Sequence, residues 1–372
     1  MYTGPLTDTD VHHQVRSDSD LLPYLPKRSR EIVELMIERR IPLDTKRAIP
    51  TLFDSMRRSD SFPADGSPPG SSYELLRDQY LDPAGMARCL LTHNVGEYGS
   101  HLNPYVATDL CRAANDWNID NWLGLDDRFY SGIVVSGLLP DEAHREVLRL
   151  ADHPRMSCVI IGGAPMSRAF GDPLYHPIYA AAAEVGLPIV LHLGTANLQA
   201  GKAIAGGTAA TFSELIMHLN AGGCHFISSF IVHGVFEKYP DLHLLMNEFG
   251  VGWLPPLMWS LDREYPLLRI ESPWVKKYPS EYIHEHIKLS TQPLETTSDG
   301  SELVDFLSAI DGIEDLLCFS SDYPHYTMDD FAFISRVLPS SWHQKVFFEN
   351  ARDIFGWHDL TAEPRLLTGA SV

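Results

Sequence analysis

The feature that most constrains the fold is a regular alternation of short apolar, β-branched runs with longer stretches of helical periodicity. Eight runs are predicted strands: Asp8–Gln14, Ala87–His93, Gly132–Leu138, Cys158–Gly163, Pro188–Gly194, Leu242–Glu248, Ile287–Gln292 and Leu316–Asp322. Helical patterns lie between them, for example at Asp141–Asp152 and Pro177–Val185. Several runs are apolar on consecutive residues, which is typical of strands covered by helices on both faces. The alternation therefore predicts βα units around a parallel sheet.

Two parallel architectures fit this pattern, an open doubly wound sheet and a closed barrel. The chain has no GxGxxG after its first strand and no GxxxxGK[ST] segment, so the phosphate-binding loops of nucleotide folds are missing. Its 372 residues suit one large barrel with insertions. We therefore predict an α/β fold, a (β/α)8 TIM barrel forming a single domain over residues 1–372. Its inserted loop region after the first strand, Ser59–Ser72, is rich in Pro, Gly and Ser and is predicted to be exposed and flexible.

Composition limits the classes of partner. Lys and Arg number 29 against 49 Asp and Glu, a net charge of −20, so nucleic acid and anionic membrane surfaces would be repelled. The five cysteines show no CxxC spacing, which favours reduced thiols and a cytoplasmic protein. No stretch approaches the roughly 18 apolar residues of a membrane span. We expect a small-molecule substrate, no nucleic acid, no membrane and, because exposed barrel surfaces commonly support symmetric pairs, a homodimer.

Polar side chains that can bind metal lie where four predicted strands end: His12, His192, Glu248 and Asp322. Barrel active sites are built at this C-terminal rim. Taken singly, each has an ordinary explanation, such as a hydrogen-bonded core histidine or a helix N-cap. Together they predict one shared site, because burying several such groups is costly unless they bind one another or a metal. Imidazole and carboxylate ligands suit one divalent ion, Zn2+ first, with Mn2+ or Fe2+ as alternatives.

The chain resembles a known family, the amidohydrolase superfamily, in the branch of aminocarboxymuconate-semialdehyde and resorcylate-type decarboxylases. The similarity covers nearly the whole chain. It rests on five segments in order: DTDVHHQ at 8–14, LPIVLHLG at 187–194, the stretch from His233 through NEFGVGWLP at 247–255, FSSDYPH at 319–325 and ENARDIFG at 349–356.

The resemblance implies roles for individual residues. His12 corresponds to the first histidine of the family's HxH motif, His192 to the strand-5 ligand, and Asp322 to the strand-8 ligand that also handles protons. Gln14 stands where the second histidine would be. Asp10 is then expected to complete the metal ligands, because some decarboxylases of this branch use an acidic residue at that position.

Glu248 departs from the resemblance, since those decarboxylases carry a proton-donating histidine there. Its role stays open between acid/base catalyst, metal ligand and orienting group. Without that donor, the sequence favours hydrolysis of an amide, ester or thioester by a metal-activated water, with Asp322 and Glu248 catalytic. The alternatives are non-oxidative decarboxylation and a non-catalytic barrel that only binds a ligand.

Substrate contacts are predicted from four rim residues: His325, Arg168, Trp253 and Gln14. Each also has a structural interpretation, a backbone cap for His325, a solvated charge for Arg168 and core packing for Trp253. His13 is expected to point away from His12 by strand alternation. Specificity is assigned to the loops Ser59–Ser72 and Ala196–Thr211.

Overall fold

A computed structural model describes residues 2–41, 43, 57–93, 98–101, 103–162, 168–193, 212–297 and 300–361. Eight parallel strands form one sheet in which each strand pairs with the next in chain order. Their bounds are β1 Leu6–His13, β2 Met86–His93, β3 Phe129–Val135, β4 Met156–Gly162, β5 Ile189–His192, β6 Leu244–Asn247, β7 Ile287–Ser290 and β8 Leu317–Cys318. The predicted (β/α)8 barrel is confirmed.

The barrel is closed by backbone bonds between β1 and the segment that follows β8. Thr9 N donates to Phe319 O at 3.0 Å, and His12 N donates to Tyr323 O at 2.7 Å. β8 itself is only two residues long, although the sequence predicts a strand over Leu316–Asp322. It ends early because Phe319 N bonds to Val346 O instead of to a neighbouring strand.

Helices lie between successive strands, as the sequence predicts. In the described residues they are α1 Lys27–Glu38, α2 Tyr73–Leu76, α3 Asp82–Ala84, α4 Pro104–Asn121, α5 Pro140–Leu150, α6 His176–Val185, α7 Phe212–Val232, α8 Val235–Lys238, α9 Leu254–Leu268, α10 Pro279–His286, α11 Ser301–Leu307, α12 Phe331–Val337 and α13 Asn350–Ile354. α6 ends where Gly186 adopts φ 68°, a left-handed conformation that glycine reaches without steric cost. None of the described helices is both long and apolar enough to cross a bilayer.

Most strand bounds agree with prediction to within two residues, and β3 is the other main exception. The sequence predicts Gly132–Leu138, whereas the strand runs from Phe129 to Val135. Beyond Val135 the backbone leaves the sheet, because the Ser136 hydroxyl donates to Gly99 O at 2.6 Å. Two predicted strand ends, Gly163 and Gly194, lie outside the described residues, as does the loop Ala196–Thr211.

The insertion at Ser59–Ser72 is exposed only in part. Residues 64–66 are exposed, but residues 69–71 are buried against β1. Gly70 has φ 84°, and a Cβ placed on it would lie 2.9 Å from His12 O. The prediction of an exposed loop is therefore wrong at residues 69–71, because close backbone packing against β1 requires burial of Gly70.

Candidate active site

Six polar side chains from four strand ends meet at the C-terminal rim of the barrel. They are Asp10, His12, His192, Glu248, Asp322 and His325. His12 lies at the centre of the group. Its Nε2 is 3.2 Å from Glu248 Oε1, 3.1 Å from Asp322 Oδ1 and 3.5 Å from Asp10 Oδ1. The sequence therefore predicted correctly that these distant segments come together.

β1 supplies two members of the group and sends a third side chain elsewhere. Every residue of β1 is buried, including Asp10 and His12. His13 lies on the other side of the strand, where its Nε2 is 2.7 Å from Asn118 Oδ1 and its ring stacks on Trp117 at 6.0 Å. The prediction that His13 points away from the site is confirmed.

Glu248 and Asp322 both lie one or more residues past their strands, in left-handed backbone conformation. Their φ angles are 68° and 63°, values that non-glycine residues rarely adopt. Glu248 N donates to Ser290 Oγ at 3.1 Å, and Asp322 N donates to Asp10 O at 3.1 Å. These bonds hold a strained backbone that turns both carboxylates into the barrel mouth, and such strain is common at functional sites.

Each carboxylate and imidazole is oriented by further partners. Asp322 Oδ2 accepts from Gln292 Nε2 at 3.0 Å and from Thr327 Oγ1 at 3.2 Å, which leaves Oδ1 facing His12 and His325. Asp10 Oδ1 accepts from the Thr92 hydroxyl.

His192 is oriented in the same way. Its Nδ1 lies 2.5 Å from Leu193 O, so Nε2 is the nitrogen that faces Asp10, at 3.2 Å. A histidine that binds metal through one nitrogen is commonly fixed by a carbonyl at the other.

Three carboxylates surround His12 and His192, and their negative charge raises the pKa of both imidazoles. Burial alone would lower the pKa of His12, but the carboxylates of Asp10, Asp322 and Glu248 raise it to about 10. Burial likewise opposes protonation of His192, yet Asp10 and Glu248 raise its pKa to about 9.

Two other members of the cluster, Glu248 and His325, have lowered pKa values. Burial and the Asp322 charge would raise the pKa of Glu248, but the three imidazoles hold it below its ordinary value. The pKa of His325 lies well below its ordinary value because of burial and the nearby charges of Arg57 and His12.

The donor atoms fit a divalent metal ion. One ligand atom from each of Asp10, His12, His192 and Glu248 lies within 4.8 Å of the others, a spacing that one ion can span. Buried Asp10 Oδ2 and His12 Nδ1 have no hydrogen-bond partner among the described residues. Geometry thus groups Glu248 with the three other predicted ligands. Asp322 falls in a second, overlapping group with His12, Glu248 and His325.

The remaining predicted contact residues lie less centrally. The Arg168 side chain is 60% exposed and pairs with Asp172 at 3.0 Å. Trp253 Nε1 donates to Phe249 O at 2.7 Å, at the start of α9. The Gln14 amide donates to Pro69 O and so ties β1 to the insertion. Substrate contact by these three residues stays a prediction. The fourth predicted contact residue, His325, lies in the cluster itself.

Sequence reasoning missed the residues that orient the cluster: Thr92, Ser290, Gln292 and Thr327. Gln292 ends a predicted strand, so the criterion that selected Glu248 and Asp322 applies to it as well. The two threonines and the serine carry no such signal, because small hydroxyl residues are common near strand ends. Arg57 was also missed, and it pairs with His325 in an isolated antiparallel bridge.

Barrel and cluster together define a (β/α)8 enzyme class with its site at the carboxyl ends of the strands. The sequence profile of the amidohydrolase family matches residues 9–357. The chain therefore belongs to the amidohydrolase family, and the predicted family resemblance is confirmed.

Solved structures show the same fold. An amidohydrolase from Mycobacterium avium subsp. paratuberculosis has a TM-score of 0.72 at 19% identity, covering 96% of this chain and 99% of its own. The 5-carboxyvanillate decarboxylase of Sphingomonas paucimobilis has a TM-score of 0.67 at 19% identity, covering 95% and 99%.

A dihydroxybenzoic acid decarboxylase from Polaromonas sp., with bound manganese and 2-nitroresorcinol, has a TM-score of 0.64 at 16% identity, covering 95% and 97%. At these identities the likeness establishes the fold alone. Comparison with curated proteins gives no matching relative.

Proposed function

We propose that this chain is a metal-dependent, non-oxidative decarboxylase of a small aromatic carboxylate. The observation that carries the proposal is the pair formed by Asp322 Oδ1 and His325 Nδ1 beside the metal-binding group. The sequence favoured hydrolysis because the strand-6 histidine is missing. His325 supplies an imidazole at the same rim from a different strand end, so the missing strand-6 histidine no longer argues against decarboxylation.

One divalent ion would be held by Asp10, His12 and His192, with Glu248 as a fourth ligand. When bound, such an ion would stabilise the negative charge that departing CO2 leaves on the substrate. Carboxylates with imidazoles suit Mn2+ as well as Zn2+. Support for Mn2+ comes from the similar decarboxylases of Polaromonas and Novosphingobium aromaticivorans, which were crystallised with manganese and aromatic ligands.

The chain's own residues would manage the proton. Loss of CO2 breaks a carbon–carbon bond, leaves its electron pair on the ring carbon and requires a proton there. Gln292 and Thr327 occupy Oδ2 of Asp322, so Oδ1 is the atom that exchanges a proton with His325 Nδ1. We assign delivery of this proton to Asp322, and the His325 imidazole, which is neutral at rest because its pKa is lowered, relays a replacement proton from solvent through Nδ1. A positioned proton donor typically contributes about 10²–10⁴-fold in rate.

The test is a panel of aromatic carboxylates with a neighbouring hydroxyl, incubated in D2O with the Mn2+-loaded protein. Release of CO2 with one deuterium at the vacated carbon supports the proposal. We expect Asp322→Asn to lower the rate at least about 100-fold, while the exposed Asp311→Asn leaves it unchanged. Mn2+-loaded protein that releases acid from esters or amides, and no CO2 from any carboxylate, would contradict it.

Hydrolysis is the second candidate, and one observation favours it. Glu248 places a carboxylate oxygen 3.2 Å from His12 Nε2 within the metal-binding group, where it can accept a proton from water. The same panel, extended to amides, esters and thioesters, separates the two reactions by their products.

A further inference from the structure

Asp8 lies on β1 below the cluster and is completely buried. Both of its carboxylate oxygens are engaged. Oδ1 accepts from Asp10 N at 2.9 Å and from Ser321 N at 3.1 Å, whereas Oδ2 accepts from the Tyr80 hydroxyl. The matched family region begins at residue 9, one residue beyond this aspartate.

The first of these amides belongs to a bulge in β1. Asp8 pairs with Cys89 and Val11 pairs with Leu91, so two β1 residues face a single β2 residue. A bulge leaves a backbone group out of the ladder and redirects the neighbouring side chain. Here the side chain of Asp8 takes the N–H of Asp10, and the bulge turns Asp10 toward His192.

The second amide lies on the opposite side of the barrel seam. β8 ends at Cys318, so the N–H of Ser321 lies beyond the strand ladder. The next residue, Asp322, donates its own N–H to Asp10 O at 3.1 Å. A single oxygen of Asp8 therefore joins the two backbone segments that carry Asp10 and Asp322.

We propose that Asp8 is a positioning residue that sets the spacing of the Asp10 and Asp322 carboxylates by holding the amides of Asp10 and Ser321 on one oxygen. The inference rests on the proposed metal site, because its consequence is the geometry of that site. Groups that orient metal ligands typically change metal affinity by about 10–100-fold when removed.

The structure offers a matched control on the same side chain. Tyr80→Phe removes the hydrogen bond to Oδ2 and leaves both amides on Oδ1. If Asp8 were only a buried acid that stabilises the fold, Tyr80→Phe and Asp8→Ala would affect the site in proportion to their loss of stability. If Asp8 positions the ligands, only changes at Oδ1 alter the metal site.

The experiment uses Co2+ as the probe, with the full chain freed of metal by chelation. Dissociation constants and the visible absorption of bound Co2+, which reports ligand geometry, are measured for wild type, Asp8→Ala, Asp8→Asn and Tyr80→Phe. We expect Asp8→Ala to weaken Co2+ binding about 10–100-fold with an altered spectrum. Asp8→Asn keeps an oxygen acceptor, so its Co2+ affinity should lie within about 3-fold of wild type and its spectrum should be unchanged. Tyr80→Phe should also keep the wild-type affinity and spectrum, although it lowers stability.

Asp8→Glu covers the case in which Asp8→Ala does not fold, since it keeps the carboxyl group but displaces the oxygen by one methylene, and it too should weaken binding. Wild-type affinity and spectrum in Asp8→Ala or Asp8→Glu would overturn the inference, as would an equal loss in Tyr80→Phe. These results leave the proposed function standing. A wild-type protein that binds no Co2+ overturns the proposed function and, with it, the inference.

Discussion

Metal binding should release about two protons per chain at pH 7.5, because the two histidines that must bind metal are protonated beforehand. Nearby carboxylates raise the pKa of His12 to about 10 and that of His192 to about 9. Imidazoles with these pKa values are almost fully protonated at pH 7.5, whereas two histidines at the ordinary pKa of about 6.5 would together hold about 0.2 proton. His325 adds nothing, because its pKa lies well below 6.5.

The sign of the pH dependence follows directly. Only the neutral imidazole binds metal, so each proton lost on binding raises the apparent affinity as pH rises. With two protons lost, the association constant should increase about 100-fold per pH unit, and this increase should continue up to about pH 9.

Calorimetric titration with Mn2+ in buffers of different ionisation enthalpy measures the number of protons directly. His153→Ala, which alters a histidine outside the cluster, should release the same number as wild type. A release below about 0.5 proton at pH 7.5 would refute the reasoning, because it would mean that the carboxylates do not hold protons on His12 and His192.

Three further predictions concern single residues. Glu248→Gln should lower bound Mn2+ and turnover together, because Glu248 belongs to both groups of potential ligands; full metal content with reduced turnover would make it an acid/base group instead. Gly70→Ala should lower the free energy of unfolding in urea by about 1–3 kcal/mol, since its Cβ would meet His12 O in a left-handed conformation. Gly66→Ala is the control, since it has a similar φ and open space around it. Burial raises the pKa of Asp329 from 3.8 to about 6, so its ionisation opposes folding. The wild type should therefore lose about 2 kcal/mol relative to Asp329→Asn as pH rises from 4 to 7.

The two predictions on stability have separate refutations. Equal destabilisation by Gly70→Ala and Gly66→Ala would mean that contact with β1 does not restrict the insertion. Parallel stability profiles for wild type and Asp329→Asn between pH 4 and pH 7 would mean that burial does not disfavour the Asp329 carboxylate.

The sequence by itself determined the architecture and the location of the site. Alternating apolar runs and helical periods specify a parallel sheet covered by helices, because burial on both faces leaves the same local pattern in every strand. Polar residues such as His12 and His192 could be placed at the rim because parallel strands all end on one side of a barrel.

Only the tertiary structure decided which side chains of the site form one group of potential metal ligands. Glu248 joins Asp10, His12 and His192 because a left-handed turn after β6 directs its carboxylate inward, and no periodicity in the sequence encodes that turn. The family resemblance places Gln14 at a ligand position, yet its amide bonds to the insertion.

Asp8 shows the same limit of sequence reasoning. Within a buried strand it is one more polar residue, and its importance depends on a bulge in β1 and on the early end of β8. Both features arise where segments more than 300 residues apart meet, as in the bond from Ser321 N to Asp8. Local pattern fixes which residues are buried, but hydrogen bonds between distant segments fix where their functional groups point.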